Sequence, residues 1–121
     1  EYKRKTTNKN VAYKKSKAKS ISLNKEISNI YTTGEKAERW YKVKVTSSKK
    51  KRRLEFGEDT VSGGYKFTIY KAGSKKVFKT IKVTQEASGK MVTLPKKKGT
   101  YYFKISKLTK KTNGVYEIGY Y

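Results

Sequence analysis

The strongest constraint on how this chain folds is a period of two. Tyr41, Val43 and Val45 alternate with Lys42, Lys44 and Thr46. Tyr65, Phe67 and Ile69 alternate with Lys66, Thr68 and Tyr70, and Tyr101, Phe103 and Ile105 with Tyr102, Lys104 and Ser106. Tyr116, Ile118 and Tyr120 repeat the pattern, and Leu54 with Phe56 is a shorter example. Successive side chains of a strand point to opposite faces, so these stretches read as strands with one face in a core. No window carries a helical period.

Turn chemistry separates the strands. Thr33-Gly34-Glu35-Lys36 is a turn signal, Ser47–Arg53 reads as a basic hairpin turn, and Gly57–Gly64 as a loop. Ala72-Gly73-Ser74 and Ala87-Ser88-Gly89 are tight turns, and Asn113-Gly114 is a hairpin signal whose loop Lys110–Thr112 lengthens. Weaker strands fill the gaps. Ile21 and Leu23 alternate before a stretch with Ile27 and Ile30 that bends. Val77, Ile81 and Val83 form another strand, with Lys79 interrupting one face. Met91–Leu94 is short and closed by Pro95. About eight short strands at intervals of about 8–12 residues make an all-β antiparallel sandwich the expected fold, with a barrel as the neighbouring solution.

At 121 residues the chain is long enough for one domain with its own core. Hydrophobic residues are only 34% of it, so the 11 tyrosines must supply much of the packing. Residues 1–19 hold eight of the basic side chains and one acid, which predicts a basic linker or stalk ending in a short strand around Asn10–Lys14. The domain itself is expected over residues 20–121.

Charge narrows the class of partner. Lys and Arg number 32 against 9 acids, a net charge of +23. Such a field attracts anionic polymers, whether wall polymer, acidic glycan, nucleic acid or membrane surface, and it favours a monomer. The excess is Lys rather than Arg, a hydrated point charge rather than a forked reader of phosphate and bases. That argues for non-specific attraction. An ordinary solvated, Lys-rich surface is the alternative.

Cys and His are absent. Disulfides, zinc clusters, thiol nucleophiles and His-based triads are therefore excluded, and no cofactor is expected. No apolar run reaches the roughly 18 residues of a membrane span, and the start Glu1-Tyr2-Lys3 holds no apolar signal core.

Several segments, in order, resemble the bacterial pre-peptidase C-terminal (PPC) domain. Ile21–Ile27 is similar to its opening strand, and Glu38-Arg39-Trp40-Tyr41-Lys42-Val43 to its acidic-aromatic strand. Tyr65–Tyr70 with Ala72-Gly73-Ser74 resembles a family hairpin, Lys98–Ile105 its "PGTYY" strand, and Gly114–Ile118 its closing strand. The resemblance spans about residues 20–121. It implies a jelly-roll-like sandwich that is not itself catalytic and that accompanies secreted bacterial hydrolases or surface proteins, with calcium, collagen or polysaccharide as ligands of some relatives. Arg39 and Lys71 stand where the pattern has acids, and Lys98 where it has Pro, which weakens any transfer of calcium binding.

Each candidate site has a plainer reading beside it. Glu35 with Glu38, and Glu58 with Asp59, are the close acidic pairs that acid–base chemistry would need, and Glu58 and Asp59 with the carbonyls of the Gly57–Gly64 loop are the candidates for calcium. Nearby lysines would lower their pKa values, so loop solubility and local ion pairs explain them better. A Ser–Lys nucleophile has no distinguishing pattern here. Trp40, Tyr70 and Tyr102 are out of phase with their strands' apolar sets and lie beside Lys42, Lys44, Lys66 and Lys104. These seven residues are the candidate ligand site, with rings to stack on sugars or bases and ammonium groups to hold acids. The plainer reading is that another strand or the N-terminal segment covers that face. Nucleic acid fits the charge but no recognisable motif.

The expected function is that of a non-enzymatic, extracellular or surface-attached bacterial accessory domain adhering to an anionic wall or matrix polymer of glycan type. A ligand-free structural module and a nucleic-acid-binding barrel are the alternatives.

Overall fold

A computed structural model describes residues 12–31, 38–85 and 89–121, with the backbone alone at residues 31, 61 and 62. The turn expected at Thr33–Lys36, with Glu35, lies outside the described residues, as do Ala87 and Ser88 of a second turn and Asn10 and Val11.

Nine strands are described, one more than the roughly eight expected, and no α-helix. A 3-10 turn at Lys15–Lys17 precedes β1 (Lys19–Ser20), β2 (Lys25–Tyr31), β3 (Arg39–Val45), β4 (Arg53–Ser62) and β5 (Gly64–Tyr70). β6 (Val77–Thr84), β7 (Gly89–Thr93), β8 (Gly99–Lys107) and β9 (Asn113–Tyr120) follow. They form two sheets, a five-stranded one in the order β1-β3-β8-β5-β6 and a four-stranded one in the order β2-β9-β4-β7. Every pairing is antiparallel except β1 with β3. The sheets do not close on one another, so the architecture is a β-sandwich and not a barrel.

The predicted apolar phases meet between the sheets. Tyr41, Val43, Val45, Tyr65, Phe67, Ile69, Tyr101, Phe103 and Ile105 from the larger sheet pack on Leu54, Phe56, Tyr116, Ile118 and Tyr120 from the smaller. Phe56 bridges them, 4.3 Å from the ring of Phe67 and edge-on to Phe103. The buried tyrosines also satisfy their hydroxyls. Tyr65 donates to the Gly114 carbonyl at 2.5 Å, Tyr120 to the Lys44 carbonyl at 2.8 Å and Tyr101 to the Lys97 carbonyl at 3.1 Å. A core economical in aliphatic residues is thereby filled without orphan polar atoms at these rings.

Four local expectations are corrected. The segment Ile21–Asn24 is a turn and not a strand, with Asn24 at φ +64°, and Leu23 is 39% exposed. The short strand lies at Lys19–Ser20, and residues 12–14 are not extended into a ladder. The Gly57–Gly64 loop is largely strand, because β4 runs to Ser62 before an irregularity between Thr60 and Ser62. Val77 is 49% exposed because the pairing of β5 with β6 shifts between Ile69 and Tyr70, taking it out of the core phase. The two expected hairpins are also something else. Residues 46–52 carry the chain from β3 in one sheet to β4 in the other, and residues 108–112 do the same from β8 to β9.

Candidate polymer-binding face

All seven candidate site residues fall on the outer face of the five-stranded sheet. They sit on its three inner strands, β3, β8 and β5, where the register stacks them in ranks. One rank runs Thr68, Lys104, Trp40, and its neighbour sets Tyr102 beside Lys42. Lys44 opposes Thr100 at one end, while Lys66 lies between Ser106 and Lys82 at the other. Lys44 is exposed; Trp40, Lys42, Lys66, Tyr70, Tyr102 and Lys104 are half-buried.

The aromatic members touch. Trp40 stacks on Tyr70 with ring centroids 5.6 Å apart and planes 23° from parallel. Lys104 places its ammonium 5.9 Å from the Trp40 ring and pairs with Glu38 at 3.0 Å. That hydrogen bond to Glu38 holds the Lys104 ammonium protonated beyond its ordinary range, with Tyr70 adding to the effect. Under these rings Thr68 is buried although it lies on the outer side. Glu38 is thus a partner for a lysine; its expected companion Glu35 lies outside the described residues.

The N-terminal segment runs along the free edge of β3. Trp40 donates its backbone N–H to the Ala12 carbonyl at 2.8 Å, and Ile21 donates to the Lys42 carbonyl at 3.0 Å. Between these anchors Lys15 extends over the sheet, its ammonium 5.5 Å from the Tyr70 ring and 5.1 Å from the Tyr102 ring. No described strand covers the face, while this segment covers one corner of it. Lys15 carried no signal in the sequence, since its place depends on a parallel pairing that periodicity does not predict.

The opposite outer face differs in charge. In phase opposite to Phe56 and Ile118, the smaller sheet presents Glu26, Ser28 and Ile30 on β2 and Val115, Glu117 and Gly119 on β9. It adds Arg53, Glu55, Gly57 and Asp59 on β4 and Gly89, Met91 and Thr93 on β7. None of these is a lysine, in a chain with 28. Arg53 is spent locally, at 2.6 Å from Glu55 and over the Tyr121 ring. Among the described residues the lysines therefore gather on one face of the sandwich and at its ends and edges, and four carboxylates on the other.

Glu58 and Asp59, the weak calcium candidates, sit on β4 with side chains in opposite phases and not together in a loop. Glu58 accepts from the Thr60 backbone N–H at 2.8 Å and from the Thr60 hydroxyl. Among the described residues no three acidic side chains gather closely enough to hold a metal ion.

Arg39 is fully buried, two residues before Tyr41 and in the same phase. It donates to the Ile30 carbonyl at 2.8 Å and to the Tyr116 hydroxyl at 3.2 Å. Extending the Tyr41-Val43-Val45 alternation back by one step points Arg39 inward, so the signal was present in the sequence. The family resemblance reads it only as a basic residue at an acidic position.

No known protein family and no curated protein sequence matches the chain. Solved structures do match in fold. The pre-peptidase C-terminal domain of collagenase from Bacillus anthracis superimposes with a TM-score of 0.65 at 18% identity, covering 86% of this chain and 94% of that one. The periplasmic inhibitor of g-type lysozyme from Aeromonas hydrophila, PliG, gives 0.54 at 7% identity, covering 86% and 97%. The surface-associated copper-binding protein CorA of Methylomicrobium album BG8 gives 0.55 at 10% identity, covering 86% and 98%. The fold is a PPC-like β-sandwich, as the sequence resemblance implied.

Proposed function

We propose that this domain is a non-catalytic accessory module of an extracellular or envelope protein, and that it adheres to an anionic wall or matrix polymer of glycan type through the outer face of its five-stranded sheet. The partition of charge carries this reading. A lysine-rich surface with no role would be basic all round, whereas here Lys42, Lys44, Lys66 and Lys104 surround Trp40, Tyr70 and Tyr102 on one face and the other is acidic. Long-range attraction brings the polymer in and orients the domain, and the rings add short-range contact. The fold supports an accessory role, since it is shared with a domain of a collagenase that is not its protease, and with periplasmic and surface-associated proteins. Among the described residues no helix is long and apolar enough to cross a membrane.

A ligand-free structural module is the second reading. It is favoured by one observation: Trp40, Tyr70 and Tyr102 are already engaged with one another and with Lys15 and Lys104.

Matched charge reversals separate the two. Lys42→Glu on the basic face and Lys90→Glu on β7 of the other sheet change net charge equally. At physiological salt, an acidic polysaccharide should bind the first variant markedly more weakly than the second. Equal loss in both would mean that the charge acts only as a general field, and the adhesion reading would be abandoned.

A further inference from the structure

We infer that the ligand of this face is an acidic polysaccharide, and that one of its sugar rings seats on Tyr70 and Tyr102 in the place now held by the ammonium group of Lys15. The inference rests on the adhesion reading above and adds the two rings on which a sugar seats and the residue it displaces.

The segment carrying Lys15 is tied down at both ends and loosely held between. At one end Ala12 is buried and its carbonyl accepts from Trp40; at the other β1 pairs with β3 through Lys19 opposite Tyr41 and Ser20 opposite Lys42. The intervening 3-10 turn, Lys15–Lys17, buries none of its residues. Lys15 reaches from that turn to two ring faces at once, at 5.5 and 5.1 Å. Lys15 and both rings are half-buried on the outer face, and a cation–π contact at a protein surface is among its weaker interactions. A group that covers the same rings with more area displaces it at little cost, and the anchors at Ala12 and Lys19 need not move.

The chemistry of the displacing group follows from what the rings and their surroundings offer. The C–H face of a pyranose packs on an aromatic ring, and a carboxylate on that sugar meets Lys42, which lies beside Tyr102 in the register. A polyanion without rings gains nothing at Tyr70 and Tyr102 and reads only the lysines. The site therefore discriminates between two polymers of like charge.

The test uses two probes and two variants of the whole chain, followed by the fluorescence of Trp40, the single tryptophan. Polygalacturonate supplies carboxylates on sugar rings, and polyglutamate supplies carboxylates without them. Lys15→Ala and Lys17→Ala remove one charge each from the same turn. Polygalacturonate should bind Lys15→Ala about two- to five-fold tighter than Lys17→Ala, the factor that releasing a cation–π contact at the surface yields. Polyglutamate should not distinguish the variants. If polygalacturonate binds the wild type saturably but Lys15→Ala is equal to or weaker than Lys17→Ala, Lys15 is only another cationic contact and the inference is overturned. If the wild type shows no saturable response to polygalacturonate, the adhesion reading itself falls, and this inference with it.

Discussion

The hydroxyls of Tyr41 and Tyr116 meet 2.6 Å apart in the middle of the sandwich, joining β3 of one sheet to β9 of the other. Asn29 donates to Tyr41 at 3.1 Å and Arg39 to Tyr116 at 3.2 Å, so three strands converge on one buried polar chain. A buried hydroxyl without its partner costs more than the bond contributes. Tyr41→Phe and Tyr116→Phe should each lower unfolding stability by about 1–2 kcal/mol. The double variant should lose less than the sum, by about 0.5–1 kcal/mol, because the second loss removes an already orphaned group. Urea unfolding of the four proteins measures this. Full additivity would mean that the two hydroxyls do not act on one another.

The same pair sets an alkaline limit. Burial pushes both phenols above their ordinary value of 10.0, and for Tyr41 the nearby Tyr116 adds to the rise. Above about pH 10 the unfolded chain sheds these protons while the folded chain keeps them. The unfolded state then binds fewer protons, so stability falls as pH rises. Two such groups contribute a slope of up to about 2.7 kcal/mol per pH unit, and Tyr41→Phe should roughly halve it. Chemical denaturation between pH 8 and 11 (about the span in which tyrosines titrate) is the measurement. A variant with the wild-type slope would exclude Tyr41 as a source.

Arg39 is the costliest side chain to remove from this network. Arg39→Leu takes from the Ile30 carbonyl and the Tyr116 hydroxyl the hydrogen bonds that the guanidinium donates inside the sandwich. Breaking a buried charged network typically costs about 3–5 kcal/mol. Arg39→Lys should recover only part of this, since one ammonium replaces a planar fork. Thermal and urea unfolding should rank wild type, Arg39→Lys and Arg39→Leu in that order.

Trp40 separates binding from folding. It is half-buried on the outer face, so Trp40→Ala should cost about 1 kcal/mol of stability from the lost Tyr70 stack. The same change should weaken an acidic polysaccharide about tenfold, at the lower end of the roughly 1–3 kcal/mol that an aromatic side chain contributes when it stacks on a nucleic-acid base. Binding by calorimetry beside a melting curve reads both. Unchanged affinity with a lowered melting temperature would make Trp40 a packing residue.

Gly114, the second residue of β9, lies at φ +147° opposite Thr60. A Cβ there would sit 2.4 Å from the Thr60 Cα and 2.5 Å from the Asp59 carbonyl oxygen, both backbone atoms that cannot swing aside. Gly114→Ala should destabilise by about 3 kcal/mol or more, since strain and collision add. Gly89→Ala, with open space around its Cβ, should be nearly neutral. Comparable losses at both positions would contradict the register of β4 with β9.

Much of this architecture was legible because alternation reports the side of a strand directly. Tyr41, Phe67, Phe103 and Ile118 could be placed in the core, and Trp40, Lys42, Tyr70 and Tyr102 on an outer face, from phase alone. Leu23 and Val77 misled because a left-handed Asn24 and a register shift beside Ile69 moved them out of phase, and neither leaves a periodic trace. Asn113-Gly114 and Ser47–Arg53 misled because turn chemistry is the same whether the chain returns to its own sheet or crosses to the facing one.

The amino-acid sequence by itself determined that this protein is an all-β, strongly basic domain, and which side of each main strand is buried. These are local properties, carried by neighbouring residues and their charges. Only the tertiary structure decided that Trp40, Tyr70 and Tyr102 share one face with the lysines, that Lys15 reaches them, and that Glu26, Glu55, Asp59 and Glu117 gather on the other face. Strand order sets those meetings, and it follows from the burial of two sheets against each other, a collective free energy to which no single segment holds the key.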